Sequence, residues 1–435
     1  MIDLAQLRRE PDVLKAALGR RGISSREVDE IVALDVEHRR LLQESERLRA
    51  EVKELSRRVG AARREKDLVT AEELASTSRG LGDDERQASE ATELVGSRLR
   101  DLLLLLPNLP DPRVPDGADE NDNVEVRRWW VGMDEGAPFP TFADHQRVAH
   151  WDIGRDLGIL DMESGAKLAG SMFPLYRGAG SRLIRALAFF ALDQHADAYE
   201  EIRPPSVALT DTMMSTGHLP KSADDMYAIE RDDLWLIPTA EVPLTSLHRG
   251  EILNESALPV RLTAFTPCFR REAGAAGKDT RGLLRVHEFD KVELFAYCTP
   301  AQADEAQADI LRRAEGILQA LGLTYRVLDL CAGDLGTASA YTIDLEVFSP
   351  GVDRWLEVSS VSWFRDFQAR RANVRYRTSD GSTAFVHTVN GSALAWARIW
   401  AALVETYRQE DGSVRLPAVL APYFGGDPVL RATPS

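Results

Sequence analysis

The chain has 435 residues, 44% of them hydrophobic and 28% charged, and its formal net charge is -16. Such a length allows about three domains, and so acidic a total excludes a uniformly basic nucleic-acid surface, leaving only local cation clusters to meet phosphates. Three cysteines, Cys268, Cys298 and Cys331, stand far apart without CxxC spacing, which argues against a disulfide framework and a structural zinc site and points to a reducing compartment.

The opening stretch MIDLAQLRREPDVL carries early acids and no apolar run, so neither a secretory signal nor a transit peptide is expected. The run Leu102 to Leu106 is too short to cross a bilayer, and the expected location is cytoplasmic, without a membrane partner. Residues 1 to about 26 predict a short helical lead-in through Leu4, Leu7, Leu14 and Leu18, broken by Gly19 and Gly22. A long helix follows, because Leu34, Leu41, Leu48 and Leu55 recur every seven residues with Ile31, Val52 and Val59 at the complementary seam positions. His38 and Ser45 interrupt that seam; a lone seam histidine is more often a tolerated core group than a ligand, so His38 is assigned no chemistry. A second apolar series through Leu81, Ala88, Val95 and Leu102 predicts an antiparallel partner helix, with the turn between Asp67 and Glu72. Cations crowd the first limb toward its tip, at Arg57, Arg58, Arg63, Arg64 and Lys66, whereas acids dominate the second. Taken alone, that stripe reads more readily as a solvated face carrying ion pairs between successive turns than as a nucleic-acid contact.

The segment LPNLPDPRVPDGADENDN, rich in Pro, Asp and Asn, reads as a linker and sets a boundary near residue 110, with an arm over 1–110 and a second domain over 111–435. Beyond it, 151–168 and 180–199 predict helices, the second leading toward a strand near Pro205. The stretch LWLIPTAEVPLT delivers Thr239, Ala240 and Glu241 to a strand end, where turn capping by Thr239 is the default reading. Residues 269–294, FRREAGAAGKDTRGLLRVHEFDKVEL, predict a β-hairpin whose long connection carries Gly274, Gly277, Gly282, Arg271, Lys278, Asp279 and Arg281. Arg270, Glu272, Arg285 and Glu293 fall on or near its strands, and a rigidly held guanidinium fork suits phosphate or carboxylate. After a helix over 300–321, the block 344–377 alternates as strands and then turns helical and basic. It offers Glu346, Glu357 and, three residues after Glu357, Ser360, oxygen donors of the kind Mg²⁺ takes. Finally VNGSALAWARIW reads as a strand entering a helix, with Arg398 expected two helical turns beyond Ser392 on the same face.

The 269–294 string closely resembles motif 2 of the class II aminoacyl-tRNA synthetases, and among them that of the seryl-tRNA synthetases; the resemblance extends from the helical arm to about Gly426. It implies an α+β fold in which a mixed, mainly antiparallel sheet is flanked by helices, preceded by an antiparallel coiled-coil arm whose basic first limb meets tRNA(Ser). The 180–205 region then resembles motif 1, which implies a homodimer, although Ala198 stands where the motif usually has glycine. Position by position, the resemblance implies that Thr239, Ala240 and Glu241 hold the α-amino group of L-serine, Glu293 accepts its hydroxyl, and Asn390 and Ser392 complete its pocket. Arg270 would bind both the serine carboxylate and the α-phosphate of ATP, with Arg271 beside it and Glu272 accepting from the adenine amino group. Arg285, Val286 and Phe289 would line the nucleotide; Glu357, Val358, Ser359 and Ser360 would continue that wall, Glu357 and Ser360 holding Mg²⁺, and Arg398 would clamp the γ-phosphate. Arg270 and Arg398 are thus the implied catalytic pair, acting by charge and position without a covalent intermediate on the protein.

The chain departs from the family's usual residues at Arg271, Thr337, Val361, Trp363 and the ARIW run at 397–400. Val361, Trp363 and Trp400 motivate an alternative, a specialised second copy that resists an adenylate-like inhibitor or feeds a biosynthetic pathway. A non-catalytic tRNA-binding paralogue is the third reading, opposed by the retention of Arg270, Glu272, Glu293, Glu357, Ser392 and Arg398.

Overall fold

The structure, a computed structural model, describes residues 1–134, 137–273 and 280–432. Gly274, Gly277, Lys278 and Asp279 of the expected hairpin connection lie outside the described residues. The chain divides into two compact units, Ile2–Leu106 and a second formed by Pro107 onward together with Met1.

The first unit holds α1 (Leu4–Arg9), α2 (Pro11–Gly19), α3 (Ser25–Arg64) and α4 (Leu68–Leu105). The lead-in is two helices, because Pro11 restarts the chain at the first position of α2, where its missing N–H has no cost. α3 and α4 pair along their length. The heptad reading of α3 holds: Ile31 and Leu48 are buried, and Leu34, Leu41, Val52 and Leu55 are half-buried. His38 sits against Gly96, where an added Cβ would come within 3.0 Å of its Nε2. The turn falls earlier than the sequence suggested, at residues 65–67. Lys66 turns the chain at φ +61°, and Asp67 starts α4 by accepting the Thr70 N–H at 3.1 Å. Along α3, Arg40, Arg47 and Arg57 pair with Glu37, Glu44 and Glu54 one turn away. Among the described residues Lys53, Arg58, Arg63, Arg64 and Lys66 form no ion pair, so the uncompensated positive charge gathers near the tip.

The second unit is built on an eight-stranded sheet. Its strands are β1 (Val124–Trp129), β2 (Glu200–Glu201), β3 (Val260–Phe269), β4 (Glu288–Cys298), β5 (Tyr325–Asp329), β6 (Tyr341–Ser349), β7 (Arg354–Trp363) and β8 (His387–Ala395). In space they run β1-β5-β6-β7-β8-β4-β3-β2, antiparallel except for the β2–β3 pair, which agrees with the expected mixed, mainly antiparallel sheet. The helix expected over 151–168 is broken into α5 (His150–Asp156) and α6 (Met162–Ala169), because Gly158 takes φ +67° between them. α7 (Ala179–His195), α10 (Ala303–Ala320) and α12 (Trp396–Thr406) pack on the sheet. α8 (Thr210–Thr216), α9 (Glu241–Ser246) and α11 (Phe367–Ala372) form a smaller helical group packed on one another.

Strand alternation decides which side chains meet which layer. On β4, Val292, Leu294 and Ala296 enter the main core with residues of α7, α10 and α12, whereas Lys291 and Glu293 face the opposite way and line a cavity, and Phe289, nearer the strand's start, touches both. The same alternation on β8 sends Val389 and Ala393 to the core and Asn390 and Ser392 to the cavity. One sheet face is therefore sealed by helices. The other carries the candidate site.

Candidate active site

The cavity has a volume of about 540 Å³ and is walled by β4, β6, β7 and β8, the return limb of the 269–294 hairpin and the first turn of α12. Of the residues singled out from the sequence, Thr239, Glu241, Arg270, Glu272, Arg285, Val286, Phe289, Glu293, Glu357, Val358, Ser359, Ser360, Asn390, Ser392 and Arg398 all line it. Ala240 and Arg271 do not. Ala240 is buried in the neighbouring core, and Arg271 is exposed, with its backbone N–H on the Asp225 carbonyl at 2.8 Å.

Glu293 lies at the base of the cavity with no exposed surface, and register puts it directly opposite Ser392 on β8. Its Oε2 accepts from Thr239 Oγ1 at 2.6 Å and its Oε1 from Asn390 Nδ2 at 3.1 Å, while the Lys291 ammonium forms an ion pair with it. Thr239 also caps: its Oγ1 accepts the Glu241 N–H at 3.2 Å, so the local role expected by default and a role in the pocket coexist. Glu241 begins α9 and accepts from Gln368 Nε2 at 2.6 Å. Removal from water, and then repulsion from Glu293, pushes its carboxyl up to about 7.

Arg270 leaves the end of β3 and stacks over the Phe289 ring at 5.1 Å, its strand end tied to the return limb by its N–H on the His287 carbonyl at 2.9 Å. Glu272, at φ +52°, is paired with Arg285 across the hairpin. Arg398 and Ser392 do not share a helix face as expected. Ser392 is still on β8, α12 begins only at Trp396, and a bulge between Ser392 and Ala395 turns the corner that brings both to one cavity. Arg398 is held by two carbonyls, Nε on Leu284 at 3.0 Å and an Nη on Glu357 at 2.7 Å, with the Glu357 carboxylate 3.8 Å away.

Among the described residues, no three His, Cys, Asp or Glu side chains are grouped so as to hold a metal by themselves. A cation sharing its shell with phosphates needs fewer ligands, and here the wall fits one. Asp344 on β6 is opposite Ser360 on β7, and its Oδ1 is buried without a hydrogen bond. Burial, and then the nearby Glu357 carboxylate, hold the Asp344 carboxyl well above its usual range. An undonated carboxylate oxygen facing a second carboxylate and a hydroxyl is a place for a hard cation.

Sequence reasoning missed four residues here. Lys291 had a signal, since strand alternation puts it on the same face as Glu293. Asp344 had a weaker one as a strand acid. His218, which lines the same cavity and has its pKa lowered to about 3 by burial and then by the charges of Arg270 and Lys291, had none. Neither had Gln368, brought in by α11. The departures that suggested a specialised copy lie elsewhere: Val361, Trp363 and Trp400 all belong to the main core and none lines the cavity. Trp400 Nε1 donates to the Gly180 carbonyl at 3.3 Å.

Residues 227–407 match the family model described as tRNA synthetase class II core domain (G, H, P, S and T), and residues 1–110 match that described as Seryl-tRNA synthetase N-terminal domain. A serine–tRNA ligase of Fervidobacterium nodosum is 46% identical over 98% of this chain and 99% of its own. The chain belongs to the seryl-tRNA synthetase family. It is accordingly an aminoacyl-tRNA synthetase. Two solved structures extend the likeness in space. The seryl-tRNA synthetase of Pyrococcus horikoshii complexed with ATP superposes with a TM-score of 0.90 at 36% identity over 100% of both chains. The cytoplasmic serine–tRNA ligase of Naegleria fowleri in complex with AMP superposes with a TM-score of 0.84 at 27% identity, covering 100% of this chain and 99% of that one.

Proposed function

We propose that the chain condenses L-serine with ATP to seryl adenylate and pyrophosphate and then esterifies the 3′-terminal hydroxyl of tRNA(Ser). The observation that carries this reading is one cavity in which the separately held guanidinium groups of Arg270 and Arg398 meet, with the buried Glu293 carboxylate at its base. Glu293 recognises the serine hydroxyl, and its three internal partners fix where it points. Glu241 takes the ammonium group with Thr239 beside it, while Asn390 and Ser392 close the pocket. Arg270 draws the serine carboxylate and the α-phosphate together, offsetting the repulsion between two anions. As charge builds on the phosphoryl oxygens, Arg270 stabilises it, and Arg398 receives the departing pyrophosphate. Phe289 offers a stacking face to adenine, and Glu272 an acceptor for its amino group. Glu357 and Ser360, with Asp344, would hold Mg²⁺, which when bound supplies charge neutralisation for the triphosphate.

The uncompensated cations near the tip of the arm support contact with the tRNA(Ser) backbone. The exposed Phe189 of α7 and Leu209, close to the motif-1-like segment, support a homodimer. Among the described residues no helix is long and apolar enough to cross a membrane, and all three cysteines are buried and unpaired. The test is serine-dependent ATP–pyrophosphate exchange followed by charging of purified tRNA. Exchange stimulated by serine and not by alanine is expected, and equal stimulation by both would remove Glu293 from its role.

A further inference from the structure

Behind the hairpin's return limb lies a buried set of polar groups that substrate binding does not use. His150, the first residue of α5, and Glu405, near the end of α12, are both completely buried. Four donors converge on the Glu405 carboxylate: the Ser349 hydroxyl, the Gly351 N–H at 3.0 Å, the His150 N–H at 2.9 Å and His150 Nδ1 at 2.8 Å. The other ring nitrogen, His150 Nε2, meets the backbone N–H of Leu283 at 2.9 Å. An amide N–H can only donate, so Nε2 is the bare nitrogen and the ring proton sits on Nδ1, directed at Glu405. The approach is close enough that Gly282, at φ +62°, has no room for a side chain: a Cβ would fall 2.5 Å from His150 Nε2 and 2.6 Å from the Trp151 ring. Arg281 lies over that same indole at 4.6 Å.

The next carbonyl along, that of Leu284, receives Arg398 Nε at 3.0 Å. Arg398 and Glu405 are on the same helix, seven residues and about 10 Å apart on one face. The return limb is therefore strapped to α12 at two points, through His150 at Glu405 and directly at Arg398.

We propose that His150 is a positioning residue for nucleotide binding. It accepts from Leu283, so that the Leu284 carbonyl is held where it aims the Arg398 guanidinium into the cavity, and Arg285 and Val286 are held as its wall. This rests on the proposed reading of the cavity as the ATP site. A group that acts through the acceptor nitrogen can be told from one that merely fills space by comparing two amides in the full-length protein. His150→Asn keeps a donor near Nδ1 for Glu405 and loses the acceptor. His150→Gln places an amide oxygen near Nε2, restoring an acceptor for Leu283. The dissociation constant for ATP is read by calorimetry, and thermal unfolding is followed in parallel. His150→Asn is expected to weaken ATP about tenfold, the size of one buried hydrogen bond, while L-serine binding is unchanged and His150→Gln recovers ATP affinity to within about twofold. Equal loss in both variants would overturn the proposal, as would an ATP effect that merely follows a fall in Tm or is matched by an equal loss of serine affinity. Because ATP binding is measured without turnover, a failure of serine activation in the unaltered enzyme would count against the proposed function alone.

Discussion

Replacing Lys291 by methionine removes the ammonium paired with the buried Glu293 carboxylate. The pair is buried on both sides, with the lysine 6% and the glutamate 0% exposed. Breaking such a pair by removing one partner costs about 3–5 kcal/mol, because the survivor's desolvation is no longer offset. Two neutral hydrogen bonds to Glu293 remain, from Thr239 and Asn390, each contributing about 1 kcal/mol. The lower end, about 3 kcal/mol, is therefore expected, read from urea unfolding of the catalytic unit by near-ultraviolet circular dichroism. Without its ammonium partner the buried carboxylate is uncompensated and is no longer held in place from that side, so the contact it offers the serine hydroxyl is weakened. Serine kcat/KM in pyrophosphate exchange should fall about 100-fold, equivalent to about 2.7 kcal/mol, with KM for ATP unaltered. Adding Glu293→Gln to the methionine variant removes the buried charge and should recover most of the stability without recovering serine activation. If the single variant costs less than about 1 kcal/mol, or the double variant is no more stable than the single, the buried charge pair is not what maintains this pocket.

Two other outcomes follow from the same reasoning. Glu241 has its carboxyl pushed up to about 7 by burial and by Glu293, so below that pH it is neutral and cannot pair with the serine ammonium. KM for serine should accordingly drop roughly tenfold between pH 6 and pH 8, and Glu241→Gln should abolish that dependence; a KM independent of pH in the unaltered enzyme would contradict the assignment. Charge reversal of Arg58, Arg63 and Arg64 in the arm should leave pyrophosphate exchange intact while weakening tRNA charging, with the salt dependence of tRNA binding shallower by about 0.7–0.9 per lost phosphate contact. An unchanged salt slope would show that these arginines do not meet the tRNA backbone.

Much of the site was readable because its pieces are local. The 269–294 hairpin carries Arg270, Glu272, Arg285, Phe289 and Glu293 in one string, and the same string held an unused signal for Lys291, which strand alternation puts on the face of Glu293. Where the expectation carried a pattern past a corner of the chain, it failed. Ser392 and Arg398 meet across a bulge and a strand-to-helix turn, the arm turns where Asp67 caps its helix, and Gly158 breaks a helix that apolar spacing had carried through.

By itself the sequence determined the element types, the coiled-coil arm and the identity of the site's charged groups, since periodicity, caps and contiguous motifs are properties of neighbouring residues. Only tertiary structure decided which distant groups meet. It brought Gln368 to Glu241, joined Glu405 to Leu283 through His150, and drew Val361, Trp363 and Trp400 into the core and away from the pocket. No local pattern encodes such meetings, because they depend on which faces of separately formed helices and strands are buried against one another.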